Sequence, residues 1–116
     1  MCGICGIINL DGKPVDQDSI IKMMSKIKHR GPDDEGYYLK GNIGMGFVRL
    51  SILDLSMNGH QPMFDISGRY LIIHNGEIFN YKDIILKYSF PKKKVDSEIK
   101  LLAKLFELKG VNFKFK

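Results

Sequence analysis

Cys2 stands directly behind Met1 in the stretch Met1-Cys2-Gly3-Ile4-Cys5-Gly6. Loss of Met1, which a small second residue favours, would leave a thiol and a free α-amine on one residue. Both kinds of group titrate within reach of neutral pH, so that residue would carry a nucleophile together with its own base. Three other positions have the chemistry to serve it. Arg49 lies in the otherwise apolar segment Gly46-Phe47-Val48-Arg49-Leu50-Ser51-Ile52-Leu53, where a guanidinium needs a carboxylate from the protein or from a ligand. A structural salt bridge and a substrate clamp fit that requirement equally. Asn75-Gly76 is a plain turn in its simplest reading. In the other, the Asn amide and the Gly N–H face a developing oxyanion, with glycine letting the backbone come close. Asp96 is by default a helix cap, and could instead offer its carboxylate to a substrate ammonium group.

Cys2 and Cys5 also form a CxxC pair, which elsewhere signals zinc or redox chemistry. His29, His60 and His74 lack the close spacing that would complete a zinc site, and a redox pair opens a helix, whereas this one begins an apolar run. No metal site is expected, and Cys5 reads as a small buried apolar residue. The charged stretch His29-Arg30-Gly31-Pro32-Asp33-Asp34-Glu35-Gly36 reads, taken alone, as a solvent-exposed loop.

These residues have to be positioned by a small set of elements. Residues 4–10 are apolar and end at Asp11-Gly12, predicting a buried strand and a turn. Ile20, Met23, Met24 and Ile27 keep helical spacing within residues 18–28, before the stop at Gly31-Pro32. Residues 36–40 and 43–50 are β-prone and joined by Gly41-Asn42, a hairpin signal. Residues 70–74 predict a short strand that runs into Asn75-Gly76-Glu77. After a short segment at 81–88, Asp96-Ser97 can cap a second helix with Ile99, Leu102, Ala103 and Phe106 on one face and Gly110 as its stop.

The length of 116 residues fits one domain. With 44% hydrophobic and 27% charged residues the composition is that of a globular protein, without an apolar run of membrane-spanning length or a secretory signal. No membrane association and a cytoplasmic location are the expectations. The net charge of +5 gathers largely in Lys92-Lys93-Lys94 and in Lys109, Lys114 and Lys116. No aromatic residues interleave with the basic run Lys92-Lys93-Lys94, so the charge reads as a solvated surface rather than a nucleic-acid site.

Six segments in order resemble the N-terminal glutaminase domain of glutamine-hydrolysing asparagine synthetase, a class II glutamine amidotransferase. They are Met1-Cys2-Gly3-Ile4, the stretch from His29 to Gly36, Arg49-Leu50-Ser51-Ile52, His60-Gln61-Pro62, Asn75-Gly76-Glu77-Ile78-Phe79-Asn80-Tyr81 and Asp96-Ser97-Glu98. The resemblance implies an α+β fold of the N-terminal nucleophile hydrolase type, an αββα sandwich, with residues 1–116 forming its N-terminal part and the sandwich incomplete. It implies that Cys2 attacks the side-chain amide of glutamine while Asn75 and Gly76 hold the oxyanion. Arg49 would take the glutamine α-carboxylate, Leu50, Ser51, Ile52 and Leu53 would wall the pocket, and Asp96 with the backbone near Glu77 would receive the α-amine. The ammonia released would serve asparagine synthesis from aspartate and ATP in a synthetase domain or subunit, the only part to which ATP and Mg2+ are implied; the glutaminase part takes no cofactor. The alternative is a non-catalytic fragment or binding module that a second polypeptide completes.

Overall fold

The structure, a computed structural model, describes residues 2–51, 59–91, 95 and 97–112. Its first layer is a three-stranded antiparallel sheet of β1 (Gly3–Ile8), β2 (Asp34–Lys40) and β3 (Ile43–Arg49), in the order β1-β3-β2. The register runs from Gly3 opposite Val48 to Ile8 opposite Ile43, and from Asp34 opposite Arg49 to Lys40 opposite Ile43. Gly41 occupies the first position of the two-residue hairpin at a φ of 54°, the positive value that a II′ turn demands there. Thus the hairpin read from Gly41-Asn42 forms, with β2 beginning two residues earlier than expected.

Helix α1 (Gln17–Ile27) covers one face of this sheet. Asp16 caps it, its carboxylate accepting from the Asp18 N–H, and Ile20 and Met24 point into the sheet. The glycines of β3 bring helix and sheet together. A Cβ on Gly44 would fall 2.9 Å from both Val15 and Ile20, and one on Gly46 would fall 2.6 Å from Met24. Val15, Ile20, Met24 and Val48 make this core, with Cys5, Ile7 and Leu39 packed at its margin.

The strand expected across 4–10 is shorter and less buried than its apolar run predicts. It ends at Ile8, which is 65% exposed, and Leu10 beyond it is 95% exposed. Among the described residues β1 is an edge strand, and α1 covers only the side chains of alternate residues. Cys5 is on the covered side but only half-buried, a partial correction to its reading as a core residue.

A second region follows. Strands β4 (Met63–Phe64) and β5 (Leu71–Ile72) form a two-stranded ribbon, much shorter than the strand expected over 70–74. The ribbon's turn is organised by Asp65, whose buried carboxylate accepts from the Ser67 hydroxyl and N–H and from the Tyr70 N–H. Burial opposes its charge, but these donors and the Arg69 guanidinium outweigh that and hold its pKa below the ordinary carboxylate value.

Two helices complete the described chain. Helix α2 (Tyr81–Tyr88) was not marked by periodicity; eight residues span barely two turns. Helix α3 (Glu98–Lys109) begins at Ser97, whose side chain accepts from the Lys100 N–H, and ends at Gly110 at a φ of 67°. The cap is thus Ser97, while Asp96 lies outside the described residues. α3 also buries Leu101 and Leu105, absent from the single face read in the sequence, because Ile84, Phe90 and Val95 pack against its other side. The ribbon meets the first sheet where Tyr38 and Phe64 cross edge to face at 5.3 Å, and meets α3 where Tyr70 and Phe106 lie 5.6 Å apart.

Candidate active site

Cys2 sits one residue ahead of the β1 ladder. The Leu50 N–H donates to its Sγ at 3.4 Å, the thiol in turn lies 3.9 Å from the Leu50 carbonyl, and Arg30 Nε donates to the Cys2 carbonyl at 3.1 Å. Cys2 is therefore fixed from two sides before any substrate arrives. Cys5, three residues along an extended strand, projects to the opposite face and packs toward Met24 under α1. Burial pushes the Cys5 thiol pKa up, against a smaller opposing pull from its Gly46 hydrogen bond. Strand geometry directs the two thiols to opposite faces.

Arg49 is the last residue of β3 and is 8% exposed. Its carbonyl accepts from the Asp33 N–H at 3.0 Å, and its guanidinium lies so close to Gly59 that a Cβ there would come within 2.5 Å of Nη2. The Asp33 carboxylate accepts from the Ser51 N–H at 2.7 Å, which steers the chain leaving β3.

The stretch from His29 to Gly36 is consequently not the free loop that its charges imply. Gly31 abuts the Val48 and Arg49 backbone with no room for a side chain. Arg30 holds Cys2, Asp33 holds Ser51, and Asp34 pairs with His60 Nδ1 at 2.6 Å. These charges are spent on tying one segment to another.

Asn75, Gly76 and Glu77 follow β5 at the far side of the same space. His74, just before them, donates its N–H to the buried Gln61 Oε1 at 2.5 Å, and Ile78, just after, donates to Glu98 Oε1 at 3.1 Å. Between those two ties, the N–H groups of Asn75, Gly76 and Glu77 engage no acceptor among the described residues. The half-buried His74 imidazole has its pKa lowered by desolvation, partly offset by the Glu98 carboxylate.

Cys2, Arg49, Leu50, Ser51, Asn75, Gly76 and Glu77 all line one cavity of about 1060 Å3, together with Gln61, His74 and Glu98. Its size is at the upper end of ordinary small-molecule sites. Ile52, Leu53 and Asp96 lie outside the described residues. Arg30, Asp33, Gln61 and Glu98 were missed as site residues in the sequence, although all four fall within the segments that carried the resemblance. Among the described residues no group of three or more His, Cys, Asp or Glu is placed to hold a metal ion, and no helix is long and apolar enough to cross a membrane.

An α+β domain with a near-terminal thiol, a buried arginine and unspent backbone donors around one cavity belongs, by sequence comparison, to a defined class: the chain is a member of the glutamine amidotransferase domain family, matched over residues 1–114. Within it the similarity is to glutamine-hydrolysing asparagine synthetases. The chain is 42% identical over 117 residues to asparagine synthetase [glutamine-hydrolyzing] 2 of Bacillus subtilis, covering 97% of this chain and 15% of that protein. It is 39% identical over 128 residues to a putative asparagine synthetase [glutamine-hydrolyzing] 2 of Methanocaldococcus jannaschii, covering 95% and 24% respectively. Asparagine synthetase [glutamine-hydrolyzing] 1 of Bacillus subtilis is 45% identical over 87 residues, covering 72% of this chain and 14% of that protein. The chain thus spans between a seventh and a quarter of the length of these relatives.

Proposed function

We propose that this chain carries the glutamine-hydrolysing site of an asparagine synthetase-type amidotransferase. The observation that carries the reading is the meeting of Cys2, Arg49, Asn75 and Gly76 around one cavity in a member of the amidotransferase family. With Met1 removed, the Cys2 α-amine takes the thiol proton and Sγ attacks the side-chain carbonyl carbon of glutamine. The carbonyl oxygen becomes an oxyanion that the Asn75 amide and the Gly76 N–H stabilise. The amine returns its proton to the departing nitrogen, ammonia leaves, and a γ-glutamyl thioester remains on Cys2. Water then attacks the thioester, giving glutamate and restoring the thiol.

Arg49 pairs with the glutamine α-carboxylate, a charge-assisted contact suited to a buried guanidinium, beside a wall made by Leu50, Ser51, Ile52 and Leu53. Asp96 and the backbone at Glu77 receive the α-ammonium. Every group in the step is an atom of this chain, of glutamine or of water; ATP and Mg2+ enter with a synthetase domain or subunit that would consume the ammonia. For the fold, the reading is an αββα sandwich with α1, the three-stranded sheet, the β4-β5 ribbon and α3 as its layers, and the Tyr38–Phe64 and Tyr70–Phe106 ring contacts support it.

A second reading draws on the exposed Ile4 and Ile8 of β1: a non-catalytic fragment or binding module that needs a second polypeptide to complete the fold. One assay separates the two. The purified chain is incubated with glutamine and the glutamate formed is measured, alongside mass analysis of its N-terminus and the Cys2→Ala variant. Turnover by the chain with Cys2 first, lost in Cys2→Ala, is expected. Turnover that survives Cys2→Ala overturns the mechanism, and a folded, Met1-free chain without turnover favours the second reading.

A further inference from the structure

The segment linking β5 to α2, from Ile73 to Asn80, has no strand or helix ladder of its own, so its backbone donors must find acceptors elsewhere. Two are met by side chains from distant parts of the chain. Gln61 lies thirteen residues before His74 and is 7% exposed, and its Oε1 takes the His74 N–H. Glu98 lies twenty residues after Ile78 and opens α3, and its Oε1 takes the Ile78 N–H. The three intervening residues are Asn75, Gly76 and Glu77. Each tie rests on an element anchored in its own right. The Gln61 carbonyl packs directly on Gly36 of β2, and α3 is held by its Ser97 cap and by Leu101 and Leu105 in the core. Tyr81 adds a brace at the end of the segment, its hydroxyl donating to the Val95 carbonyl at 2.6 Å.

We propose that Gln61 and Glu98 are positioning residues that clamp the Asn75-Gly76-Glu77 loop at both ends, holding its donors toward the cavity before substrate binds. The inference deepens the glutaminase reading and rests on it. Neither side chain reacts; each supplies one oxygen acceptor to one backbone N–H. An oxyanion donor acts by being in place when charge develops, and loss of placement by about 1 Å can cost on the order of a hundredfold in rate. The clamp therefore governs turnover rather than binding. It also makes acceptor capacity, not charge, the property that matters. Glu98→Gln and Gln61→Glu keep an oxygen at the same reach, whereas Glu98→Ala removes it and Gln61→Met keeps the length with only a weak thioether acceptor.

The test uses the full chain and two readouts. In amide hydrogen exchange, Gln61→Met should speed exchange at His74 and Glu98→Ala at Ile78, each by roughly tenfold or more, while β3 amides stay protected as the sign of an intact fold. In steady-state glutaminase kinetics the same variants should lower kcat roughly ten- to a hundredfold with KM within about threefold of wild type. Glu98→Gln and Gln61→Glu should restore both readouts. Unchanged exchange at His74 and Ile78, unchanged kcat in a folded variant, or a Glu98→Gln as damaged as Glu98→Ala each overturns the clamp. A wild-type chain that lacks turnover while its two amides respond as expected overturns the glutaminase reading and leaves the clamp standing as the device that shapes this loop.

Discussion

The first sheet and the β4-β5 ribbon hold the two sides of the same cavity by different means. β1, β2 and β3 are six or seven residues long and lock one another through a continuous ladder. Cys2 and Arg49 sit at the ends of that ladder, where they inherit its rigidity. β4 and β5 are two residues each, too short to impose geometry beyond themselves. Asn75 and Gly76 depend instead on side-chain acceptors and on helix α3. The Cys2 side is built chiefly by backbone pairing, and the Asn75 side chiefly by individual side chains. Single substitutions should therefore disturb the second side far more selectively than the first.

The largest effect that would sharpen this contrast is on turnover. Asn75→Ala is expected to lower kcat on the order of a hundred- to a thousandfold with little change in KM, the signature of a transition-state donor. Arg49→Lys should instead raise KM roughly tenfold with kcat largely kept, because a point charge replaces a planar fork that binds the ground state as well. Steady-state kinetics on both variants decides it; the reverse pattern would break the assignment of the two sides.

Next in size is stability. Ile20 and Leu101 are both fully buried, one under the first sheet and one between the second-region helices. Truncation of either to Ala should cost about 2–5 kcal/mol in unfolding experiments. If the two regions unfold together, each variant shifts one common transition. A Leu101→Ala variant that melts its helices while the Ile20 core persists would show that the second region is the separable one.

The smallest expected effect is a pH dependence centred on His74. Its folded-state pKa is lowered chiefly by desolvation, so below the ordinary value of about 6.5 the unfolded chain binds a proton that the folded chain resists. The neutral ring's contribution is intact above that value and is lost as pH falls through the folded-state pKa. His74→Gln should therefore flatten the decline in stability between neutral and mildly acidic pH, measured by denaturant titration at several pH values. A wild type and variant that decline in parallel would exclude His74 as the cause.

The contrast between the two regions also explains what the sequence made legible. Ile20, Met23, Met24 and Ile27 repeat with helical spacing, and Gly41-Asn42 sits between two β-prone runs, so α1 and the hairpin were readable from local pattern. Burial was not. Residues 4–10 are apolar except for Asn9, and which of them are covered depends on α1 reaching only one face of an edge strand. α2 is too short for periodicity to register, and Leu101 and Leu105 escaped because α3 buries a second face against Phe90 and Val95. For the site, the chemical types at Cys2, Arg49 and Asn75-Gly76 were visible in the chain. The ties made by Arg30, Asp33, Gln61 and Glu98 were not, since each joins segments far apart in sequence and shows only as an ordinary polar residue in a loop or a helical first turn.

The position of Cys2 one residue outside the β1 ladder has a practical side. Gly3 is already paired with Val48, so anything fused ahead of Cys2 leaves the sheet at the cavity wall with almost no slack to swing away. A purification tag at that end would convert the cysteine amine into an amide. Recombinant material suited to enzymology is best tagged elsewhere, or released by a protease whose cut leaves cysteine as the first residue.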